Sequence, residues 1–262
     1  MNNRSGIKAL PLSAPIMGKA ETVYPVIVWD EHDAVLIDTG YPGQLSLLKE
    51  AAAQAGLALS RIKHVLITHQ DLDHIGGLPD LLASGHEKLT VYAHKLEAPY
   101  IQGEKRLLKL SPEAVEHAVR SLPESVPAEW REAFRRTLNN PPKAPVDVQL
   151  QGGERLPLCG GLIIIPTPGH TPGHISIFHE ATGTLIAGDA ASVQNGLLQL
   201  PEPGLCSDPA KALQSLLHLT HYPIHSIICY HGGPCTDPAG GIQLFEQAAS
   251  AGELIRQIPD QR

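Results

Sequence analysis

Four short apolar runs in this sequence end at side chains that bind metals. "HVLIT" (64–68) leads into "HQDLDH" (69–74), "LIIIP" (162–166) into "TPGH" (167–170), "TLIAG" (184–188) into Asp189, and "SIICY" (226–230) into His231. Runs of this length, rich in β-branched residues and bounded by Gly, Pro and polar residues, read as buried strands. A divalent cation needs several donors converging from rigid elements, because they must outweigh its hydration and the cost of ordering the chain. Here the strand ends offer His69, Asp71, Asp73, His74, His170, Asp189 and His231. That set of nitrogen and oxygen donors suits two cations sharing a bridging carboxylate and a bridging water, an arrangement suited to hydrolysis. Taken singly, a strand-end Asp is commonly a turn former and a strand-end His a satisfied polar group. The signal lies in the set.

The rest of the chain supplies a frame for these ends. Residues 23–29 and 34–37 read as strands with a polar turn between them, and 89–93 as another. Helical spacing over 43–55 stops at Gly56, and 76–83 reads as a short helix. Between about 95 and 145 the β-like runs give way to helical patterns. Ser111 and Pro112 form an N-cap and first-turn pair, Val115, Ala118, Val119 and Leu122 make one apolar face, and Trp130, Phe134 and Leu138 make another. This helical insertion ends in the Pro-rich stretch 139–145 and reads either as a spacer or as a lid over a binding site. A strand at 175–178, a helix capped by Asp208 and Pro209, and a last helix over about 241–258 complete the pattern of two sheets flanked by helices.

Composition narrows the function. At 262 residues the chain is long enough for a full core, and one domain, 1–262, is expected. A net charge of −7, with 42% hydrophobic and 18% charged residues, describes a soluble, mildly acidic protein without the basic face a nucleic acid requires. No apolar stretch has signal-peptide or membrane-span length, so a cytoplasmic protein with no membrane partner is expected. The cysteines, Cys159, Cys206, Cys229 and Cys235, lack C-x-x-C spacing and read as small buried thiols. Of the 14 histidines, His32, His64, His86, His94, His117, His179, His218, His221 and His225 fall outside the motifs and read as structural, His94 being the least secure.

The ordered set T-H-x-x-x-D-H-x-G-G, T-P-G-H-T-x-G-H, G-D and H-G-G resembles the metallo-β-lactamase superfamily over almost the whole chain. The resemblance implies an α+β fold, a four-layer αβ/βα sandwich of two mixed sheets flanked by helices, with metals at the edge between the sheets. It implies that His69, Asp71 and His170 hold one metal, that Asp73, His74 and His231 hold the other, and that Asp189 bridges them. Zinc is the first expectation, with manganese or iron as alternatives. His174 matches a supporting position, and Asp38 one behind the metal loops. The implied chemistry is attack by a metal-bound hydroxide, with Asp73 orienting the water and shuttling its proton.

Asp71 departs from the family's usual H-x-H-x-D-H. Its carboxylate either ligates, lowering the charge of the centre and favouring oxygen-loving metals, or falls short and leaves one site weak. The secreted β-lactamases of the family commonly have Cys where Asp189 stands, and the quorum-quenching lactonases have Tyr where Ser192 stands. The expected substrate is therefore a small neutral or weakly charged ester, lactone or thioester, with a phosphodiester or β-lactam as the alternative. A flavodiiron-like redox role lacks the length for a flavin domain, and a non-catalytic metal-binding protein is the remaining rival. A homodimer is one assembly open to the chain.

Overall fold

The computed structural model describes residues 5–16, 19–84 and 89–256. His86 and the end of the expected 241–258 helix lie outside them. Two six-stranded sheets form the frame. The first runs, in spatial order, Gly6–Ala9, Val26–Trp29, Ala34–Ile37, Ile62–Ile67, Thr90–His94, Val148–Leu150. The second runs Gly233–Pro234, Ser226–Cys229, Thr184–Gly188, Ile175–His179, Leu162–Pro166, Arg155–Leu156. Both sheets are mixed.

Side-chain alternation along the strands explains the layering. Val26, Val28, Val35, Ile37 and Leu66 turn inward and meet Leu162, Ile164, Ile175, Ile177, Ile186 and Ile228 of the other sheet. The opposite face of the first sheet, through Ile27, Leu36, Val65, Ile67 and Val91, packs on Leu48 and Ala52 of the Leu45–Gln54 helix and on Leu78 and Leu81 of Leu78–Ala83. The opposite face of the second, through Ile165, Leu185 and Ile227, packs on Leu216 and Leu219 of Pro209–Leu219 and on Phe245 of Pro238–Arg256. Strands buried on both faces explain why their sequences are continuous apolar runs. The result is the four-layer sandwich expected from the motifs.

Parallel pairing positions the functional ends. Ala34–Ile37 pairs in parallel with Ile62–Ile67, which pairs in parallel with Thr90–His94, while Thr184–Gly188 and Ser226–Cys229 are parallel in the second sheet. Asp38, Thr68, Asp189 and Tyr230 therefore leave their sheets at carboxyl ends of parallel strands, where α/β sheets open a crevice.

Several expectations are corrected. The 23–29 run is two pieces: Lys19–Val23 pairs with Leu12–Ile16 in a separate ribbon, and Val26–Trp29 joins the first sheet. The break falls at Pro25, which has no N–H for a ladder; its carbonyl accepts from Leu10 N at 2.8 Å. The expected 76–83 helix is found as Leu78–Ala83, and a separate short helix, Leu72–Ile75, precedes it across Gly76 and Gly77. A Cβ on Gly77 would stand 2.3 Å from Thr39 O and one on Gly76 2.4 Å from the Pro42 nitrogen, so both glycines admit the 39–42 loop against the metal motif. In the insertion, Ser111 caps Pro112–Arg120 by accepting from Ala114 N at 3.1 Å, and Val115, Val119 and Leu122 are buried. The Trp130 face fails, since Trp130 is 67% exposed and Leu138 alone of its three residues is buried. Cys159, Cys229 and Cys235 are buried free thiols, whereas Cys206 is partly exposed. Among the described residues, no helix is long and apolar enough to cross a membrane.

Gly77→Ala should destabilise the protein by about 1–3 kcal/mol, because the new methyl group meets backbone rather than a mobile side chain. Urea unfolding followed by circular dichroism checks this; an unchanged midpoint would show that the 39–42 loop yields.

Candidate metal centre

The centre starts from Asp38, whose buried carboxylate holds the end of the first parallel strand pair. Its Oδ1 accepts from Thr68 N at 2.9 Å, and its Oδ2 from Thr68 Oγ1 at 2.8 Å. The same Oδ2 lies 2.9 Å from His74 Nδ1. Asp38 adopts φ 61°, a left-handed conformation that Asp tolerates better than most residues. With Nδ1 donating to Asp38, His74 points Nε2 into the space between the loops, where a metal would take the place of the Nε2 proton.

Two donor sets face each other there. In the first, Asp71 Oδ2 lies 3.2 Å from His69 Nε2 and 3.0 Å from His170 Nε2. In the second, Asp73 Oδ2 lies 3.2 Å from His231 Nε2 and 3.6 Å from His74 Nε2. Asp189 stands between them: Oδ2 is 3.4 Å from both His170 Nε2 and His231 Nε2, and Oδ1 is 3.4 Å from His74 Nε2. One ligand atom from each of His69, Asp71, His170 and Asp189 falls within 4.8 Å of the others, as do atoms of Asp73, His74 and His231. The fold thus brings together every residue picked from the strand ends, with Asp189 grouped with His69, Asp71 and His170.

The donor set fits divalent cations on its own chemistry. His69 Nε2, His74 Nε2 and Asp189 Oδ1 are buried without a hydrogen-bond partner, which a native interior rarely tolerates. The charges agree. Burial disfavours a charge on His74, yet Asp189, Asp38 and Asp73 outweigh it and hold the imidazole well above its usual range. His231 is likewise pushed up to about 10, against burial, by Asp189 and Asp73. Burial raises Asp71, but His69, His170 and Lys109 together hold it well below the usual carboxylate range. Burial, against the hydrogen bond to Asp71, lowers the His170 imidazole, so the protons drawn by the ionised carboxylates fall on His74 and His231, where a cation would replace them.

His174 and His94 are accounted for without a ligand role. His174 Nε2 accepts from Asp189 N at 2.9 Å while Nδ1 meets Thr167 Oγ1 at 2.8 Å, so the ring sets the Asp189 backbone. Burial, with His69 and His170 close by, keeps it neutral. His94 meets Gln151 O through Nε2 at 3.1 Å and accepts from Leu96 N at 3.2 Å.

Sequence reasoning missed three residues. Glu97, fully buried, accepts from Gln70 N at 3.1 Å, Gln70 Nε2 at 2.8 Å and Gly173 N at 2.7 Å, so one carboxylate joins the His69–Asp71 loop to the His170 loop. Gln70 in turn accepts from Leu108 N at 2.8 Å, and the neighbouring Lys109 reaches Asp71 Oδ2 at 2.5 Å. No local pattern signals these contacts, because their partners lie 27 to 76 positions away.

Beside the centre opens a cleft of about 460 Å³ lined by His170, Asp189 and His231 together with Ser192, Val193, Gln194, Gln199, Leu200, Pro201, Glu202 and Leu205. Its wall is the hairpin Ser192–Gln194/Leu197–Gln199 and the segment after it, and no described lining residue comes from 95–145. The lid reading of the insertion is thus not met at this cleft; the insertion contributes Lys109 to the cluster instead. The hairpin turns at Asn195–Gly196, φ 53° and 81°, the Asn-Gly signature of a tight two-residue turn.

Comparison with known proteins agrees with this geometry. A family model described as the metallo-beta-lactamase superfamily matches residues 19–231. YflN of Bacillus subtilis strain 168, described as a probable metallo-hydrolase, is 28% identical over 218 residues, covering 79% of this chain and 78% of its own. The crystal structure of a metallo-beta-lactamase family protein from Thermus thermophilus aligns with a TM-score of 0.67 at 25% identity, over 95% of this chain and 80% of its own. An archaeal superfamily protein from Sulfolobus tokodaii shares the fold, with a TM-score of 0.62 at 20% identity over 94% of this chain and 85% of its own. By its motif order, its paired sheets and a match spanning most of its length, the chain belongs to the metallo-β-lactamase superfamily.

Proposed function

We propose that this chain is a metal-dependent hydrolase of small esters, lactones or thioesters. In this reading His69, Asp71 and His170 hold one divalent cation, Asp73, His74 and His231 hold a second, and Asp189 bridges them, with zinc the first expectation. The supporting observation is Asp189, standing between two donor sets with Oδ1 buried and without a hydrogen-bond partner. Bound there, divalent cations supply Lewis acidity and bring the pKa of a water toward neutrality.

The chain's own residues supply the rest. The water oxygen bonds to the carbonyl carbon, the bond to the alcohol or thiol breaks, and the proton lost by the water passes through the Asp73 carboxylate to the leaving group. Asp73 Oδ2 faces His231, and burial raises the carboxyl less than His74 and His231 lower it, so Asp73 starts ionised and able to accept. Substrate binding falls to the cleft, where Val193, Leu200 and Leu205 offer apolar surface and Ser192, Gln194 and Gln199 offer hydrogen bonds. YflN, described as a probable metallo-hydrolase, lends support to the reaction class.

Elemental analysis of the purified protein is expected to find two divalent ions per chain, falling to about one in Asp71→Ala. Unchanged stoichiometry in that variant would remove Asp71 from the ligand set. A panel of lactones, thioesters, aryl esters, β-lactams and bis-p-nitrophenyl phosphate is expected to show turnover of the carboxylic esters, lactones or thioesters. Turnover confined to the last two compounds would replace this substrate reading. Asp189→Ala should lose more than roughly a hundredfold in kcat/KM, since bridge and spacing go together; retained turnover would refute the dinuclear scheme.

A further inference from the structure

Lys109 is the only cationic side chain among the described residues that hydrogen-bonds to the donor sets. Its Nζ lies 2.5 Å from Asp71 Oδ2 and 2.7 Å from His170 Nε2. A surface lysine would owe such contacts to chance, but this one is anchored. The Leu108 N–H donates to Gln70 Oε1 at 2.8 Å, Gln70 donates to the fully buried Glu97, and Leu107 on the other side is buried. The network that sets the His69–Asp71 and His170 loops therefore also sets the backbone from which Lys109 extends.

An ammonium carries three N–H donors and no acceptor. Asp71 takes one, and a His170 that ligates through Nε2 takes none, so two are left for a further partner. The side chain is 37% exposed against 12% for Asp71, leaving room for one. Lys109 also stands beside the cleft, because His170, 2.7 Å from its Nζ, is one of the cleft's lining residues. The formal charges point the same way. Asp71, Asp73 and Asp189 contribute −3 and a bound hydroxide −1 against +4 from two divalent ions, so the centre sums to zero and Lys109 supplies the one positive charge left for an anionic group. No Arg or Lys is found among the described residues lining the cleft, so one ammonium is matched to one negative charge rather than to a phosphate dianion.

We propose that Lys109 is a specificity-determining residue whose ammonium receives a carboxylate carried by the substrate near its scissile carbonyl, while the Val193, Leu200 and Leu205 wall takes the apolar remainder. This rests on the hydrolase reading above and narrows the expected neutral or weakly charged substrate to a monoanionic one. The carboxylate accepts a charge-assisted hydrogen bond that an uncharged analogue cannot make.

The test uses the zinc-loaded full chain and two esters of matched length, mono-p-nitrophenyl glutarate and p-nitrophenyl pentanoate. The readout is the ratio of their kcat/KM values, in which any loss common to both cancels. Lys109→Met is expected to lower the ratio roughly tenfold or more, mainly through KM for the glutarate ester, with Lys109→Arg recovering most of it. Isothermal titration with glutarate itself should show a similar loss of affinity in Lys109→Met, with zinc content measured on the same samples. An unchanged ratio together with unchanged glutarate affinity would overturn the proposal and leave Lys109 as a structural partner of Asp71. If the wild-type chain turns over neither ester, the ester branch of the hydrolase reading fails by itself and the glutarate titration alone decides the role of Lys109.

Discussion

Crowding of ionisable groups governs this structure. Three carboxylates and four imidazoles are brought within a few ångströms at the edge of the sandwich, and left alone they would repel or protonate one another. What makes the arrangement tenable is that several of the donors are fixed from behind by buried partners. Asp38 holds His74 and Thr68, His174 holds the Asp189 backbone, and Glu97 holds the loops carrying Asp71 and His170. These partners are themselves buried, so the apolar core and the donor cluster form one construction. The core sets the register of the parallel strands, and the register sets where the carboxyl ends emerge.

How much of this the amino-acid string discloses depends on the range of the interaction. The donors were legible because each follows a strand within a few residues, and strand and donor are read in one window. The Val23–Trp29 run was misread because β-branched residues on both sides of Pro25 mask a change of sheet. Glu97 stands before an Ala-Pro at a helix start and looks like an ordinary first-turn acid, and Lys109 sits in a polar stretch that looks solvated; their partners are supplied only by the tertiary fold. Asn195–Gly196 is a different kind of miss, since its local turn signal was present and was passed over. Trp130 shows the converse, because helical periodicity gives an apolar face but not the element that covers it.

The acidic residue at position 71 acquires a context from the fold. Read alone, it lowers the charge of the centre by one relative to a histidine. In the folded protein Lys109 stands against it, so the electrostatic effect of Asp71 depends on a side chain contributed by the insertion. The insertion, read as spacer or lid, is thereby tied to the chemistry through Lys109, the Leu108 N–H and the Glu97 carboxylate rather than through an apolar roof.

The hairpin that walls the cleft has a consequence for how such a protein diversifies. It is a two-stranded ribbon closed by a two-residue turn, and it bears none of the seven donors. Its side chains can therefore change size and polarity over successive generations while the strand ends keep their places, so that new selectivity arises by rewriting a short appendage and leaving the catalytic scaffold as inherited.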